Sequence, residues 1–161
     1  MGRGNHQTLQ TGDRAPDVPL RTLAAAMLTT ASLWSEGPVL LAFYKASCPT
    51  CQLTLPFLER LRAGGARVYC VAQDDAATAR AFNAEYEMPA MPTLLDSAAD
   101  GYPASNAFGI NFVPSMFLVG PDGAVLWHSV GFIRADLERL GERLGNAVFH
   151  DGDIVPAAKS G

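Results

Sequence analysis

Cysteine is scarce in this sequence of 161 residues, which contains only three. Small secreted domains that depend on disulfides for stability are much richer in cysteine. The low count therefore excludes a disulfide-stapled scaffold. Two of the three, Cys48 and Cys51, stand three positions apart, whereas Cys70 stands alone. This spacing favours chemistry at the pair over a framework role.

Long apolar runs and clusters of basic residues are also lacking. No stretch approaches the roughly 18 apolar residues that span a bilayer. Residues 1–13 are polar, and the segment most similar to a signal peptide, residues 20–33, lies late in the chain. We therefore expect no leader and a cytoplasmic protein, with an extracytoplasmic location as the alternative if a leader has been removed. The net charge of -4 argues against nucleic acid as a partner, because phosphate binding needs clustered Lys and Arg.

The remaining composition is that of one globular domain. Hydrophobic residues make up 48% of the chain and charged residues 17%, which is typical of a folded protein with a core. Residues 1–12 are predicted to form a flexible N-terminal arm, and residues 13–145 to form the domain. From residue 146 to 161 the pattern is weak, and we expect a frayed C-terminal tail.

The hydrophobic pattern of the domain predicts alternating strands and helices. Residues 39–44 form a continuous apolar run, which indicates a strand buried on both faces. The helix predicted after it is followed by a second strand, and such a crossover makes the two strands parallel. Residues 13–37 are predicted to hold a short edge strand, and residues 87–112 are predicted to be irregular apart from one short strand. The predicted strands are 39–44, 67–72, 93–95, 115–119 and 124–129, and the predicted helices are 50–62, 74–86 and 133–144.

The order of these elements is β-α-β-α followed by β-β-α, with the cysteine pair at the first junction between a strand and a helix. A Gly-Pro-Asp-Gly turn at 120–123 joins the last two strands in an antiparallel hairpin. This order is the core of the thioredoxin fold. We therefore predict the α/β class, with a mixed central sheet flanked by helices.

The pair forms the motif Cys48-Pro49-Thr50-Cys51 at the start of the first long helix. A helix start presents unpaired N–H groups and the positive end of the helix dipole, and both favour an anion. Thiols in such motifs have pKa values of roughly 3.5–7.5. We expect Cys48 to be partly exposed and to attack a partner disulfide. Cys51, one helical turn later, would then resolve the mixed disulfide.

Half of a zinc site and a pair of unrelated core cysteines are the other interpretations. A zinc site needs two further ligands, but the sequence has no second cysteine pair, and its histidines, His6, His128 and His150, lie far apart. We therefore expect no metal and no cofactor, and a redox-active pair. Cys70, in an apolar strand, is expected to behave as an inert small hydrophobe.

Several motifs resemble those of the thioredoxin family. Residues 39–61 resemble the active-site region of that family, Pro56 matches its helix-kinking proline, and residues 112–115 (Phe-Val-Pro-Ser) match its cis-proline loop. The resemblance implies that Pro114 is cis, that it lies against the cysteine pair and takes part in catalysis, and that Val113 contacts a substrate docked as an added strand. The residues assigned to substrate binding on this basis are Val113, Pro49 and Thr50.

Further motifs resemble the redoxin branch of the thioredoxin superfamily. They are Ala-Pro-Asp at 15–17, Gln-Asp-Asp at 73–75 and the Gly-Pro-Asp-Gly turn at 120–123. This branch contains the ResA/TlpA-like thiol-disulfide oxidoreductases and the alkyl hydroperoxide reductase/thiol-specific antioxidant proteins. The resemblance covers about residues 12 to 145 and includes the N-terminal extension of that branch.

Departures from thioredoxin bear on the chemistry. Ser47 stands where thioredoxin has Trp, and Pro-Thr replaces Gly-Pro between the cysteines, which leaves the direction of electron flow open. Ala42 stands where thioredoxin buries an Asp. ResA-like proteins place an acid after the next strand instead, so the resemblance implies that Asp74 accepts the proton of Cys51, directly or through water. Helix capping is the alternative for Asp74 and the preferred role for Asp75.

Three functions fit these observations. The first is a thiol-disulfide oxidoreductase that exchanges the disulfide of the pair with partner proteins. The second is a thiol peroxidase, although Leu41 and Lys45 occupy the positions at which that chemistry needs Pro and Thr. The third is a non-catalytic binding module. For the first, the expected partners are a protein disulfide or dithiol and a recycling thiol reductase or oxidase, and the chain is expected to be a monomer.

Overall fold

The structure, a computed structural model, describes residues 7–161. Its main sheet contains seven strands: β1 (Pro19–Thr22), β2 (Met27–Thr29), β3 (Val39–Tyr44), β4 (Val68–Ala72), β5 (Thr93–Leu95), β6 (Ser115–Val119) and β7 (Val125–Val130). Their order across the sheet is β2-β1-β5-β4-β3-β6-β7. A second, two-stranded sheet pairs β8 (Phe132–Ile133) with β9 (Ala158–Lys159).

The main sheet is mixed, as the sequence predicts. β3 runs parallel to β4, and β4 runs parallel to β5. The other neighbours, β1 with β2 and β5, and β6 with β3 and β7, are antiparallel. The parallel pairing of β3 and β4 confirms the crossover predicted around the first long helix.

Five α-helices flank the sheet in the described chain. They are α1 (Thr30–Trp34), α2 (Pro49–Ala63), α3 (Ala76–Glu85), α4 (Pro103–Phe108) and α5 (Arg134–Leu144). A 3-10 helix at Ala98–Asp100 precedes α4. Helices α2, α3 and α5 cover one face of the sheet, and α1 and α4 cover the other. Within residues 7–161, no helix combines the length and apolarity needed to cross a bilayer.

Strand β3 is the centre of both cores. All six of its residues are buried, which confirms the interpretation of its unbroken apolar run. Successive side chains point to opposite faces of a strand. Leu40, Ala42 and Tyr44 therefore join the core beneath α2, whereas Val39, Leu41 and Phe43 join the core on the other face.

Two segments contain more structure than the sequence predicts. Residues 13–37 hold the hairpin β1–β2 and helix α1 rather than one edge strand. Residues 87–112 hold α4, which has only six residues and therefore shows no helical periodicity in the sequence. The buried carboxylate of Asp96 stabilises its start, because it accepts hydrogen bonds from the amides of Ala104 and Ser105, both at 2.8 Å.

Both ends of the described part of the chain, residues 7–161, pack on this domain. The predicted N-terminal arm lies partly outside the described residues, at 1–6; from the rest of it, the amide of Leu9 donates to the carbonyl of Phe108 at 3.1 Å. The tail after residue 145 has more structure than its weak pattern predicts. The ring of Phe149 packs on Phe57 with centroids 4.9 Å apart. In addition, both terminal nitrogens of Arg60 bond the carboxylate of Asp153, at 2.6 and 3.1 Å.

Candidate active site

The cysteine pair lies where β3 passes into α2. Cys48 is the N-cap of α2, and its sulfur accepts a hydrogen bond from the amide of Cys51 at 3.3 Å. Pro49 occupies the first turn, where its missing N–H costs no hydrogen bond. Cys48 is half-buried, Cys51 is fully buried, and both are free thiols. The expected partial exposure of Cys48 is therefore confirmed.

The loop before β6 lies against Cys48. The thiol of Cys48 donates to the carbonyl of Val113 at 3.5 Å, and the peptide bond between Val113 and Pro114 is cis, as the resemblance implies. The pairing of β6 with β3 explains the position of this loop, because Ser115 at the start of β6 pairs with Phe43 near the end of β3. The sheet thus brings together two segments that lie more than 60 residues apart in the chain.

Cys51 lies beneath Cys48 in the core. Burial raises the pKa of the Cys51 thiol strongly, and its hydrogen bond with Cys48 raises that pKa further, whereas a hydrogen bond from the backbone of Lys45 acts in the opposite direction. A thiol with a raised pKa keeps its proton at neutral pH. Cys51 must therefore lose a proton when it reacts.

Two further groups share this part of the core. Tyr44 and Cys70 lie on adjacent strands and face the same side of the sheet as Cys51. Burial raises the pKa of Tyr44, and nearby Cys70, Asp74 and Cys51 add to the effect. The Tyr44 hydroxyl has no hydrogen-bond partner among the described protein atoms. Cys70 is fully buried, and burial raises the pKa of its thiol.

The two acidic residues after β4 have different contacts. Asp75 is the N-cap of α3, and its carboxylate accepts from the amide of Thr78 at 2.8 Å, which confirms the preferred role. Asp74 does not cap that helix, so the capping alternative for Asp74 is wrong. Its half-buried carboxylate instead accepts from the amide of Ala46 at 2.8 Å. This bond links the end of β4 to the loop that precedes the cysteine pair.

Sequence reasoning missed one group of residues at the site, in the tail. The hydroxyl of Thr50 donates to the carbonyl of Ser160 at 2.6 Å, and the amide of Arg134 donates to the carbonyl of Ala157 at 2.9 Å. The tail makes these contacts through its carbonyl groups. No side-chain pattern could have predicted them, because every residue carries a backbone carbonyl.

The described part of the chain shows no cluster of metal-binding side chains. Within residues 7–161, no three His, Cys, Asp or Glu side chains come together in a group that could hold a metal ion. The residues gathered around the pair are thiols, one carboxylate, one phenol and backbone amides. These groups fit thiol chemistry.

A sequence model of the AhpC/TSA family matches residues 11–128. The match includes the cysteine pair, the loop at Val113 and most of the sheet. The chain therefore belongs to the AhpC/TSA family.

Solved structures share the fold. The thioredoxin domain of a thiol-disulfide oxidoreductase from Bacteroides vulgatus is 21% identical, with a TM-score of 0.73 over 86% of this chain and 100% of that chain. A protein assigned as the thiol:disulfide interchange protein DsbE from Chlorobium tepidum is 26% identical, with a TM-score of 0.73 over 88% and 100%. The peroxidoxin BcpB from Mycobacterium tuberculosis is 21% identical, with a TM-score of 0.66 over 85% and 95%. The likeness establishes the thioredoxin fold, and the AhpC/TSA family match places the chain in the redoxin branch.

Proposed function

We propose that this AhpC/TSA family member is a thiol-disulfide oxidoreductase in which Cys48 and Cys51 exchange a disulfide with partner proteins. The observation that carries the proposal is the contrast between the two sulfurs. Cys48 is half-buried at a helix start, where the Cys51 amide already donates to it at 3.3 Å, whereas Cys51 is fully buried. The Cys48 sulfur is thus accessible to a partner. The Cys51 sulfur would react only within the protein, with the mixed disulfide on Cys48.

The reaction proceeds by two thiol-disulfide exchanges. The Cys48 thiolate attacks one sulfur of the partner disulfide, forms the mixed disulfide and releases a partner thiolate, which takes up a proton. Cys51 then loses its proton and attacks the sulfur of Cys48, which releases the second partner thiolate. The partner gains two electrons and the pair is oxidised to a disulfide. The reverse sequence oxidises a partner dithiol.

Asp74 is proposed as the proton acceptor for Cys51. Burial raises the pKa of Cys51, so the second exchange needs a base. Asp74 is a half-buried carboxylate held beside the cysteine loop by the Ala46 amide. Tyr44 lies close enough to interact with both Cys51 and Asp74. The proton would pass from Cys51 to Asp74 directly or through water.

The proposed substrate contacts surround Cys48. The carbonyl of Val113 already touches its sulfur at 3.5 Å, and Thr50 and Pro49 form the turn that carries it. An extended partner segment would pair with the backbone at Val113 as an added strand. Pro114 would hold that loop against the pair. The partners would be a protein disulfide or dithiol and a recycling thiol reductase or oxidase, met by a monomer in the cytoplasm.

The test is to trap the mixed disulfide. Cys51→Ser removes the resolving sulfur and leaves Cys48, so incubation with insulin as the protein disulfide should give a stable covalent adduct, seen by mass under non-reducing conditions. Cys48→Ser should give no adduct. Cys70→Ala in the Cys51→Ser background is the matched control and should leave the yield unchanged. An adduct on Cys70, or no adduct from Cys51→Ser, would contradict the proposal.

Thiol peroxidase activity is the second candidate, favoured by the family match and by the likeness to BcpB. In peroxidases of this branch, Pro and Thr or Ser upstream of the cysteine polarise the peroxide. Here Leu41 is buried in the core of β3, and Lys45 replaces the hydroxyl. We expect hydrogen peroxide to be consumed more slowly than insulin is reduced, with dithiothreitol as the common reductant. Faster peroxide turnover would favour the second candidate.

A further inference from the structure

The last five described residues lie beside the cysteine pair. We call residues 157–161 the strap. The strap runs antiparallel to β8, with Lys159 paired to Phe132 and Ala158 paired to Ile133. The amide of Arg134 extends this ladder by donating to the carbonyl of Ala157 at 2.9 Å. The strap is therefore bound by main-chain hydrogen bonds, the way in which an extended peptide adds to a sheet edge.

The far end of the strap reaches the cysteine motif itself. The Thr50 hydroxyl donates to the Ser160 carbonyl at 2.6 Å. At Gly161 the backbone lies so close to the Val113 carbonyl that a Cβ built on it would stand 1.7 Å from that oxygen. The same oxygen accepts from the Cys48 thiol at 3.5 Å. The strap thus contacts Thr50 and Val113, two of the three residues assigned to substrate binding.

The strap is held loosely compared with the tail that precedes it. All five of its residues are exposed. Detachment of the strap therefore exposes little additional apolar surface of these residues to water. The earlier tail is fixed by Phe149, which packs on Phe57, and by the bidentate pair of Arg60 and Asp153. The strap can therefore detach while the rest of the tail stays docked. A segment tethered in this way competes at a high effective concentration.

We propose that the strap is an internal pseudosubstrate that occupies the docking site of a partner protein. The inference rests on the proposed function of the pair. The partner it implies is an extended segment that carries the target disulfide, pairs with the backbone of β8 and has a small residue where Gly161 now meets Val113. Such a segment must displace the strap before its disulfide reaches Cys48. The strap thereby selects partners that bind as a strand.

The first test removes the strap by ending the chain after Pro156. Competition between strap and partner predicts that KM for insulin decreases at least fivefold while kcat stays within twofold. Gly161→Val should act in the same direction, because its side chain would collide with the Val113 carbonyl. Ile154→Ser is the matched control in the same tail, since Ile154 is 98% exposed, and should leave KM unchanged.

Two further measurements distinguish an effect of the strap on docking from an effect on the redox reaction. The rate of Cys48 alkylation by iodoacetamide should differ less than twofold between the full and shortened chains, because this small reagent needs no docking. Hydrogen exchange of the Arg134 amide should be faster in the shortened chain, since its acceptor is removed.

The possible results distinguish the two proposals. Both chains reducing insulin with the same KM would overturn the inference and leave the proposed function intact. An Arg134 amide that exchanges equally fast in both chains would also overturn the inference. No insulin reduction by either chain would overturn the proposed function, and the inferred role of the strap with it.

Discussion

The cysteine site has two regions with opposite character. The rim consists of Cys48 and Val113, which are half-buried and in contact with each other, and of Thr50, which is buried and donates to the Ser160 carbonyl. The floor consists of Cys51, Tyr44 and Cys70, which are all fully buried and share one core. Only two residues separate Cys48 from Cys51 along the chain, yet one helical turn places the two thiols in different surroundings.

The contrast shows how one fold gives two identical thiols different environments, which the proposed function would use for different steps. A sulfur at the rim receives a backbone N–H and is accessible to a partner. Burial at the floor raises the pKa of both thiols and of the phenol, so these groups stay protonated. A floor thiol therefore reacts only when a base takes its proton and an electrophile is delivered to it. The mixed disulfide on Cys48 would be that electrophile.

The largest expected effect is on alkylation of the native, reduced protein by iodoacetamide at pH 7.5. Cys48 should react at least about 10³ times faster than Cys51 or Cys70, because the floor thiols become accessible only when the protein opens. Peptide mass analysis at successive times gives the three rates. In guanidinium chloride the three thiols should react at similar rates. Comparable alkylation rates for the three thiols in the native protein would contradict the distinction between rim and floor.

The next effect concerns Asp74. In Asp74→Asn the amide oxygen can still accept from the Ala46 amide, whereas the base is lost. We expect resolution of the mixed disulfide to slow about 10²-fold, and its formation to be unchanged. Asp75→Asn is the matched control, because it alters a helix cap only. Stopped-flow kinetics over pH 6–9 measure both steps. An unchanged resolution rate and pH profile would show that Asp74 only holds the loop before the cysteine pair and does not act as a base.

The floor also predicts how stability depends on pH. The pKa values of Cys51 and Cys70 lie above their unfolded value of 9.0, because burial disfavours the thiolate. As the pH rises past 9, the unfolded chain loses these protons first. The free energy of unfolding of the reduced protein should thus be constant at pH 7–8. Above pH 9 the free energy of unfolding should decrease by about 1.4 kcal/mol per pH unit for each thiol.

Cys70→Ala tests this dependence by removing one of the groups. Urea denaturation between pH 7 and 10.5 should show a decrease that is shallower by about 1.4 kcal/mol per pH unit than in the parent protein. Parallel pH curves for the two proteins would show that Cys70 ionises as easily in the folded state as in the unfolded chain.

The smallest effect is expected from Tyr44→Phe. The buried hydroxyl of Tyr44 lacks a hydrogen-bond partner among the described protein atoms. Its removal should increase the free energy of unfolding by about 1 kcal/mol, since an unsatisfied buried polar group is costly. Urea denaturation at pH 7 measures the change. A loss of stability would mean that the hydroxyl is hydrogen-bonded in solution.

The sequence predicts the rim and floor to the extent that they depend on strong patterns. The apolar run at 39–44 fixes β3, and the spacing of the cysteines places Cys48 at the start of α2. The family resemblance adds the loop at Val113 and Pro114, which no periodicity would connect to the pair. These features are local or belong to a shared motif.

Other parts of the site depend on contacts that leave no pattern. Asp74 accepts a hydrogen bond from the amide of Ala46, which lies 28 positions away in the chain. The sequence does not indicate this partner, because it is a backbone group. The strap binds through carbonyl groups and through a close approach at Gly161. Helix α4 is stabilised by Asp96, a carboxylate outside the helix, and is too short for a repeat. Tertiary hydrogen bonds decide these features, and they become visible only when the chain is folded.

The most direct test of the central claim is a redox titration of the pair against dithiothreitol and glutathione buffers, with thiol trapping and peptide mass analysis at each potential. We predict one two-electron transition that joins Cys48 to Cys51 while Cys70 stays a thiol. A midpoint near about −270 mV would identify a reductant, and one near about −120 mV a disulfide donor. The absence of a disulfide between Cys48 and Cys51 at every potential would contradict the proposed function of the pair.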